Sequence, residues 1–125
     1  MAAGPQFVNA IQNGKASISA ANTNRDGTGT IVDLFTAGER GSRIDKIKVI
    51  AIVATTAGVV RLFIHNGTAY FLWKEILVTA ITPSATVASY VSELVADLVL
   101  QRGWKFAAAT HNAESFVVHA EGGDF

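Results

Sequence analysis

Turn-forming residues recur at short intervals along this sequence, and β-branched and aromatic residues fill the segments between them. The clearest turn is Asn66-Gly67, because these residue types readily adopt the positive φ angles of a type I′ hairpin turn. Runs with the composition of helices are scarce. Short strands separated by turn signals at this spacing are typical of an all-β sandwich or barrel.

Eight segments have the length and composition of strands. They are residues 16–21, 30–36, 43–54, 59–65, 68–79, 86–93, 104–111 and 115–121. Eight strands suit an antiparallel two-sheet sandwich, with the jelly-roll type favoured and an immunoglobulin-like sandwich as the alternative. Residues 94–100 are ambiguous between a helical turn and a crossing segment. We assign an N-terminal arm to residues 1–14, the β-sandwich domain to 15–121 and a flexible C-terminal tail to 122–125.

The composition favours a protein that buries part of its surface in an assembly. Hydrophobic residues make up 50% of the chain and charged residues only 16%, whereas about a quarter of the residues are charged in an average protein. Ten basic and ten acidic residues give no net charge. A protein that binds duplex nucleic acid needs a basic surface, so we expect no nucleic-acid partner. Low charge also leaves little repulsion between copies.

The chain has no cysteine, which excludes disulfides and thiolate catalysis. No apolar run approaches the roughly 18–20 residues of a membrane span, so we expect no membrane partner. Residues 1–6 lack the basic and apolar regions of a signal peptide, which predicts synthesis in the cytoplasm.

The sequence contains only weak candidates for a metal-binding or catalytic site. The segment Asn22–Asp33 has oxygen-bearing side chains and Gly27 at spacings that resemble an EF-hand calcium loop, but its flanks are predicted strands, and a turn between strands uses the same residue types. Neither sequential spacing nor strand periodicity brings two of His65, His111 and His119 to one face as metal ligands require. No nucleophile elbow or phosphate-binding loop is present. The sequence therefore predicts a protein that is not an enzyme and that uses no cofactor.

Two predicted strands are apolar on both faces, at residues 49–54 and 69–73. In a two-sheet sandwich one face of a strand meets the core and the other meets water. Tyr70 and Leu72 should therefore lie opposite Phe71 and Trp73 across their strand. Leaving one of these faces in water would create an aggregation-prone patch, so another surface must cover it. Either a partner chain or a folded-back loop or N-terminal arm can do so.

Burial against another chain is the favoured interpretation, because interfaces are enriched in Tyr and Trp, and it predicts a dimer or a trimer. The predicted partner-contact residues come from the arm, the two-sided strand and the chain end. They are Phe7, Val8, Ile11, Tyr70, Phe71, Trp73 and Phe125.

Three stretches carry a resemblance to a known family: TPSATVASYVSEL at 82–94, LVLQRGWKFAAATHNAESFVVHAEGGDF at 98–125, and ANTNRDGTGTIVDLFTAGERGSRIDKI at 21–47. Together they resemble the β-sandwich cement, or decoration, proteins of tailed phages. The resemblance implies a jelly-roll subunit that oligomerises and clamps neighbouring major capsid proteins on the outside of the phage head. It also implies a virion location on the capsid exterior. It assigns no binding residues.

Two other functions remain open. A carbohydrate- or receptor-binding sandwich of a phage tail would stack sugar rings on Tyr70, Trp73 or Trp104. An internal component of the capsid or tail tube is a further alternative.

Overall fold

The computed structural model describes residues 9–125 and contains strands and loops but no helix over that range. The strands are β1 (Ala10–Ile18), β2 (Val32–Thr36), β3 (Ser42–Ala51), β4 (Gly58–His65), β5 (Tyr70–Val78), β6 (Val91–Leu100), β7 (Lys105–Thr110) and β8 (Phe116–Asp124). They form two antiparallel four-stranded sheets. The prediction of an all-β sandwich of about eight strands is confirmed.

Sheet A has the order β1-β8-β3-β6, and sheet B has the order β2-β7-β4-β5. The pairing is nested: β1 pairs with β8, β2 with β7, β3 with β6 and β4 with β5. This is the order expected when a long antiparallel strip is rolled into two sheets, as in the jelly-roll type. In an immunoglobulin-like sandwich the first and last strands lie in different sheets, whereas here they are neighbours.

The core lies between the two sheets and follows the two-residue period of the strands. In β4, Val60 and Leu62 point inward and are fully buried, while Arg61 and Phe63 point to the outer face of sheet B. Each large apolar side chain buried in this way stabilises the fold by about 1.5–3 kcal/mol. The largest apolar side chains of the core are Phe35, Phe106, Phe116, Ile44, Ile47, Leu62 and Leu100.

The sandwich is closed on one side and open on the other. On the closed side β1 packs on β2, and a Cβ at Gly14 would collide with the backbone carbonyl of Leu34. On the opposite side β5 and β6 make few or no close contacts with each other. Lys74 occupies a position of β5 that pairs with buried Leu62, yet it is exposed. We call the surface formed by β5 and β6 the open side.

A β-bulge in β5 changes which side chains face the core. Leu62 is paired with Lys74 and the next residue, Phe63, with Leu72, so that Trp73 is the extra residue. The ring of Trp73 packs edge-to-face on Phe106, with 5.7 Å between ring centroids. Trp73 is therefore partly buried in the core of its own chain.

Both predicted chain ends differ from the structure. Strand β1 begins at Ala10, so residues 10–14 of the predicted arm belong to sheet A. Strand β8 runs to Asp124, so residues 122–124 of the predicted tail are paired with β1 and β3. Glycines suggested flexibility there, but glycine is needed at Gly122 because the carbonyl of Arg43 approaches too closely for a side chain.

Side-chain contacts hold the C-terminal end of β8 in place. The Asp124 carboxylate accepts hydrogen bonds from Gln12 Nε2 at 2.7 Å and from Ser42 Oγ at 2.5 Å. The backbone N–H of Phe125 donates to the carbonyl of Gly41 at 3.2 Å. The end of the chain is thus part of the sandwich.

Two internal boundaries also differ. Strand β3 ends at Ala51 rather than at residue 54, and the chain bends at residues 52–53. The ambiguous residues 94–100 belong to β6, which starts at Val91 and pairs with β3 along its length. The predicted strand at 86–93 therefore overlaps the true strand only at its end.

Candidate functional site

The outer face of sheet B is covered by the β1–β2 loop, residues 19–31. At the end of β7 the N–H of Asn22 donates to the carbonyl of Thr110 at 2.8 Å. On the edge strand β5, Glu75 accepts from Arg25 Nε at 2.7 Å. The loop therefore crosses the outer face of sheet B from β7 over β4 to β5. The side chains buried between them are Phe63, Ala107 and Ala109, with Ile31 and Tyr70 packed against these three.

This loop covers one of the two apolar faces of the strand at residues 69–73. A folded-back segment was one of the two expected covers for the two-sided strand, and the structure places such a segment over Tyr70. Within the described residues that segment is the β1–β2 loop, and Ile11 of the predicted arm lies on β1 at the edge of sheet A, where it is exposed.

Arg61 lies between the loop and sheet B, where its side chain is only 1% exposed, and it holds the loop by hydrogen bonds. Its Nε donates to Glu75 Oε2 at 2.9 Å and its Nη1 to the carbonyl of Asn22 at 3.0 Å. Its Nη2 lies 3.1 Å from His111 Nδ1, which must accept because a guanidinium has no acceptor. Hydrogen bonds from Arg25 and Arg61 hold the pKa of the Glu75 carboxyl below its usual range.

Tyr70 is held in the same layer. Its ring lies 4.5 Å from the ring of His65, and its hydroxyl donates to Asp33 Oδ1 at 2.7 Å. Burial and this bond to a carboxylate raise the pKa of Tyr70 to about 12. The same carboxyl group of Asp33 also forms an ion pair with Lys105 at 3.6 Å.

The loop that resembled a calcium site uses its polar groups internally. The Asn22 amide nitrogen donates to the carbonyls of Thr28 and Thr30, at 2.9 and 3.0 Å. Asp26 accepts from the N–H and the hydroxyl of Thr28, which lowers the pKa of its carboxyl. Asp33 on β2 accepts from the hydroxyl of Tyr70 on β5, the opposite edge strand of sheet B. The loop thus has the hydrogen bonding of a structural turn.

Within residues 9–125 no three His, Cys, Asp or Glu side chains come together as a metal site. The three histidines lie in different surroundings: His65 packs edge-to-face with Tyr70, His111 contacts Arg61, and His119 lies in β8 opposite Lys48 and Lys15. In the same described range no helix is long and apolar enough to cross a membrane.

The edge strands β5 and β6 carry most of the exposed apolar side chains of the described residues. Those side chains do not share one face: Leu77 lies on the outer face of sheet B and Val95 on the outer face of sheet A. Six of the ten large exposed apolar side chains in residues 9–125 lie on β5 and β6, and they include Leu77 at 77% and Val95 at 80% exposure. The six are Phe71, Leu72, Leu77, Val91, Val95 and Val99. The other four are Ile11 on β1 and Ile52, Val53 and Val87 in loops.

The charges of β6 are paired within the chain. Glu93 forms ion pairs with Lys46 at 3.3 Å and Lys48 at 3.7 Å, and Asp97 accepts a hydrogen bond from Arg43 at 2.7 Å. On β5, Lys74 makes no ion pair with any side chain of the described residues. The open side therefore presents valine, leucine and phenylalanine side chains with few unpaired charges.

The predicted contact residues fall into separate places. Phe71 on the open side and Ile11 on β1 are exposed. Tyr70, Trp73 and Phe125 are half-buried in contacts with their own chain. Phe7 and Val8 lie outside the described residues.

Sequence reasoning missed Leu77 and the three valines of β6. Their signal was present, because residues 91–99 alternate between outward Val, Glu and Asp and inward Leu and Ala. The segment was split between a strand and an ambiguous turn, so this alternation was not followed through.

No protein-family model matches this chain, and no curated protein matches it.

Proposed function

We propose that this protein is a structural binding subunit whose open side is covered by protein in an assembly. In line with the resemblance of its sequence, the assembly is the head of a tailed phage, and the subunit decorates the outer surface by clamping neighbouring major capsid proteins. The contact is the function, and the chain turns over no substrate.

The observation that supports the proposal is that six of the ten large exposed apolar side chains in residues 9–125 lie on the two edge strands β5 and β6. Leu72 and Leu77 lie on the outer face of sheet B, and the three valines of β6 lie on the outer face of sheet A. A monomer rarely leaves such a group in water. Fully burying one large apolar side chain is worth about 1.5–3 kcal/mol, so covering even part of the group favours association. On a shell, many copies with modest individual contacts add up to strong attachment.

The sugar-binding alternative requires an aromatic face that is free to stack on a ring. Tyr70, Trp73 and Trp104 are all half-buried, and the first two rings pack on His65 and Phe106. These positions do not favour it.

The test measures occupancy on shells. Purified protein is mixed with empty heads of the phage whose genome encodes it. The heads are then sedimented, and the bound copies per head are counted. We expect saturable binding with a fixed copy number per shell. Leu77→Asp should lower occupancy about tenfold or more, because a charge desolvated at a contact costs several kcal/mol.

Ile11→Asp is the matched control, because it places the same charge at an equally exposed apolar position on the opposite edge of the molecule. Its occupancy should equal that of the wild type. Absence of saturable binding by the wild type would contradict the proposed function, and glycan-array binding in its place would support a sugar-binding module.

A further inference from the structure

We propose that the turn between β4 and β5 is a self-modification site, at which the backbone nitrogen of Gly67 attacks the side-chain amide of Asn66 and expels ammonia. The reaction leaves a succinimide ring, which water opens to aspartate or isoaspartate. His65 acts as the base, and two backbone N–H groups of the turn stabilise the negative charge that develops. This inference goes beyond the proposed function and does not rest on it.

The nucleophile is the Gly67 nitrogen, which attacks as it loses its proton. Its N–H donates to His65 Nδ1 at 3.1 Å. A ring nitrogen that accepts a hydrogen bond carries no proton, so Nδ1 is the basic nitrogen of the imidazole. It lies within the distance at which a side chain takes up a proton during a reaction. The ring of Tyr70 packs edge-to-face on the imidazole, with 4.5 Å between centroids, and holds it beside the turn.

The electrophile is Cγ of Asn66, whose oxygen is already bound where charge will develop. Asn66 Oδ1 accepts from the backbone N–H of Thr68 at 3.0 Å and from that of Ala69 at 3.1 Å. These bonds fold the side chain back over the turn and polarise the amide carbonyl. When a nitrogen adds to Cγ, the oxygen takes up negative charge. Paired backbone N–H donors stabilise such an oxyanion.

The turn leaves space for the ring to close and for water to enter. A Cβ at Gly67 would have no atom of the described residues within 4 Å beyond its two chain neighbours. Gly67, Thr68 and Ala69 are all exposed. A side chain on the residue after asparagine would crowd the attacking nitrogen, and glycine allows a closer approach because it has none.

The atoms balance with water as the only co-reactant. The proton of the Gly67 N–H passes to His65 Nδ1, the bond from nitrogen to Cγ forms, and the electron pair of the carbonyl moves onto Oδ1. The bond from Cγ to the amide nitrogen then breaks as the carbonyl re-forms. The imidazolium returns its proton to the leaving group, which departs as ammonia. Water adds to one of the two succinimide carbonyls, and the carbonyl attacked decides whether aspartate or isoaspartate results.

A second Asn-Gly pair provides an internal comparison. Asn13 and Gly14 lie inside β1, where they pair with Glu121 and Ala120 of β8. Gly14 is buried, and a Cβ there would collide with the carbonyl of Leu34. Ring closure at this pair would have to break the ladder between β1 and β8. The two pairs are equivalent in sequence, but the fold activates one and protects the other.

The modification changes the turn permanently. It adds one negative charge to a chain that has no net charge. Isoaspartate also lengthens the backbone between β4 and β5 by one carbon. The protein should therefore separate on ion exchange into the starting form and a more acidic form that accumulates with time.

The first test follows both asparagines while the folded protein is incubated at neutral pH. Trypsin then releases peptides 1–15 and 62–74, and mass spectrometry measures the conversion of amide to acid at each asparagine. Electron-transfer fragmentation distinguishes isoaspartate from aspartate. The reference is the same protein unfolded in guanidinium chloride, in which neither pair has a structural environment.

We expect Asn66 to convert about tenfold or more faster in the folded than in the unfolded protein, because the base is positioned only by the fold. Asn13 should convert more slowly in the folded protein than in the unfolded one. If Asn66 converts in the folded protein no faster than in the unfolded chain, the turn does not activate it and the inference is overturned.

The second test removes the base. His65→Gln keeps an acceptor for the N–H of Gly67 but has no basic nitrogen. The ratio of folded to unfolded rates at Asn66 should fall about tenfold or more, since a positioned general base contributes about 10²–10⁴-fold. A variant that only weakened the fold would shift the urea midpoint without lowering this ratio.

His119→Gln is the matched control, because His119 lies on β8 in the other sheet. Its rate ratio at Asn66 should equal that of the wild type. An unchanged ratio in His65→Gln, or an equal fall in both variants, overturns the role of His65 as the base.

Discussion

Replacing Arg61 with methionine tests whether the β1–β2 loop is held from below by the guanidinium. Methionine has a similar length and keeps apolar packing, but it donates no hydrogen bond. The change removes the bonds to Glu75, to the carbonyl of Asn22 and to His111 Nδ1. It leaves the carbonyl and the imidazole nitrogen without their donor.

The expected loss is about 3 kcal/mol. Removing one partner of a buried ion pair typically costs about 3–5 kcal/mol. The lower end applies here because Glu75 is about one-third exposed and keeps its bond to Arg25. For a chain of this size, 3 kcal/mol corresponds to a melting temperature lower by about 10–12 °C.

Urea unfolding followed by tryptophan fluorescence measures the free energy, and hydrogen exchange locates the effect. We expect faster exchange in residues 19–31, above all at the N–H of Asn22, which donates to Thr110. The matched control is Arg25→Met, which removes the exposed partner of Glu75 and should cost less than 1 kcal/mol. If Arg61→Met costs no more than Arg25→Met, the anchoring role of Arg61 is refuted.

Three further perturbations probe other parts of the fold. Gly14→Ala should destabilise the protein by about 1–3 kcal/mol in urea unfolding, because its Cβ would meet the carbonyl of Leu34; an unchanged midpoint would show that β1 and β2 can move apart. The pKa of Tyr70 is raised from 10.0 to about 12, so the folded protein favours the protonated form of this side chain. The resulting contribution to the free energy of unfolding is complete below pH 10 and is lost as the pH rises through 12. Tyr70→Phe should therefore show a smaller loss of stability between pH 9 and pH 12 than the wild type, and equal losses would contradict this. Deleting residues 122–125 should lower the melting temperature, since Asp124 bonds to Gln12, whereas a flexible tail would leave it unchanged.

The turn and strand signals were sufficient for the fold class, and several boundaries followed from them. The Asn66-Gly67 turn lies between β4 and β5, where the pattern put it, but the predicted type I′ geometry is wrong, because Gly67 has a positive φ and Asn66 does not. The opposition of Tyr70 and Leu72 to Phe71 and Trp73 also agrees with the pairing of β5. Local conformational preference fixes such features, because a positive φ or a two-residue period depends on neighbouring residues alone.

Which side chains of sheet B are buried and which are exposed was less predictable from the sequence. The exposure of a side chain depends on whether another segment of the chain packs over its strand. Tyr70 and Phe71 are adjacent and similar in sequence terms, yet the first lies under the β1–β2 loop and the second is exposed. Nothing in the sequence around Arg61 indicates that its side chain is buried. A charged side chain in a strand is normally solvated, and the acceptors that allow burial here come from distant parts of the sequence: Glu75, His111 and the loop carbonyl of Asn22.

Strand β6 separates what the sequence determined from what the tertiary structure decided. Its apolar residues Val91, Leu94, Val95, Leu98 and Val99 have the i, i+3, i+4, i+7, i+8 spacing of an amphipathic helix as well as a partial two-residue alternation. Local sequence therefore determined an amphipathic segment but not its secondary structure. The free edge of β3 decided for the strand, because pairing there satisfies the backbone along ten residues and packs Leu94 and Leu98 against the core. That choice turned the valines onto the outer face of sheet A.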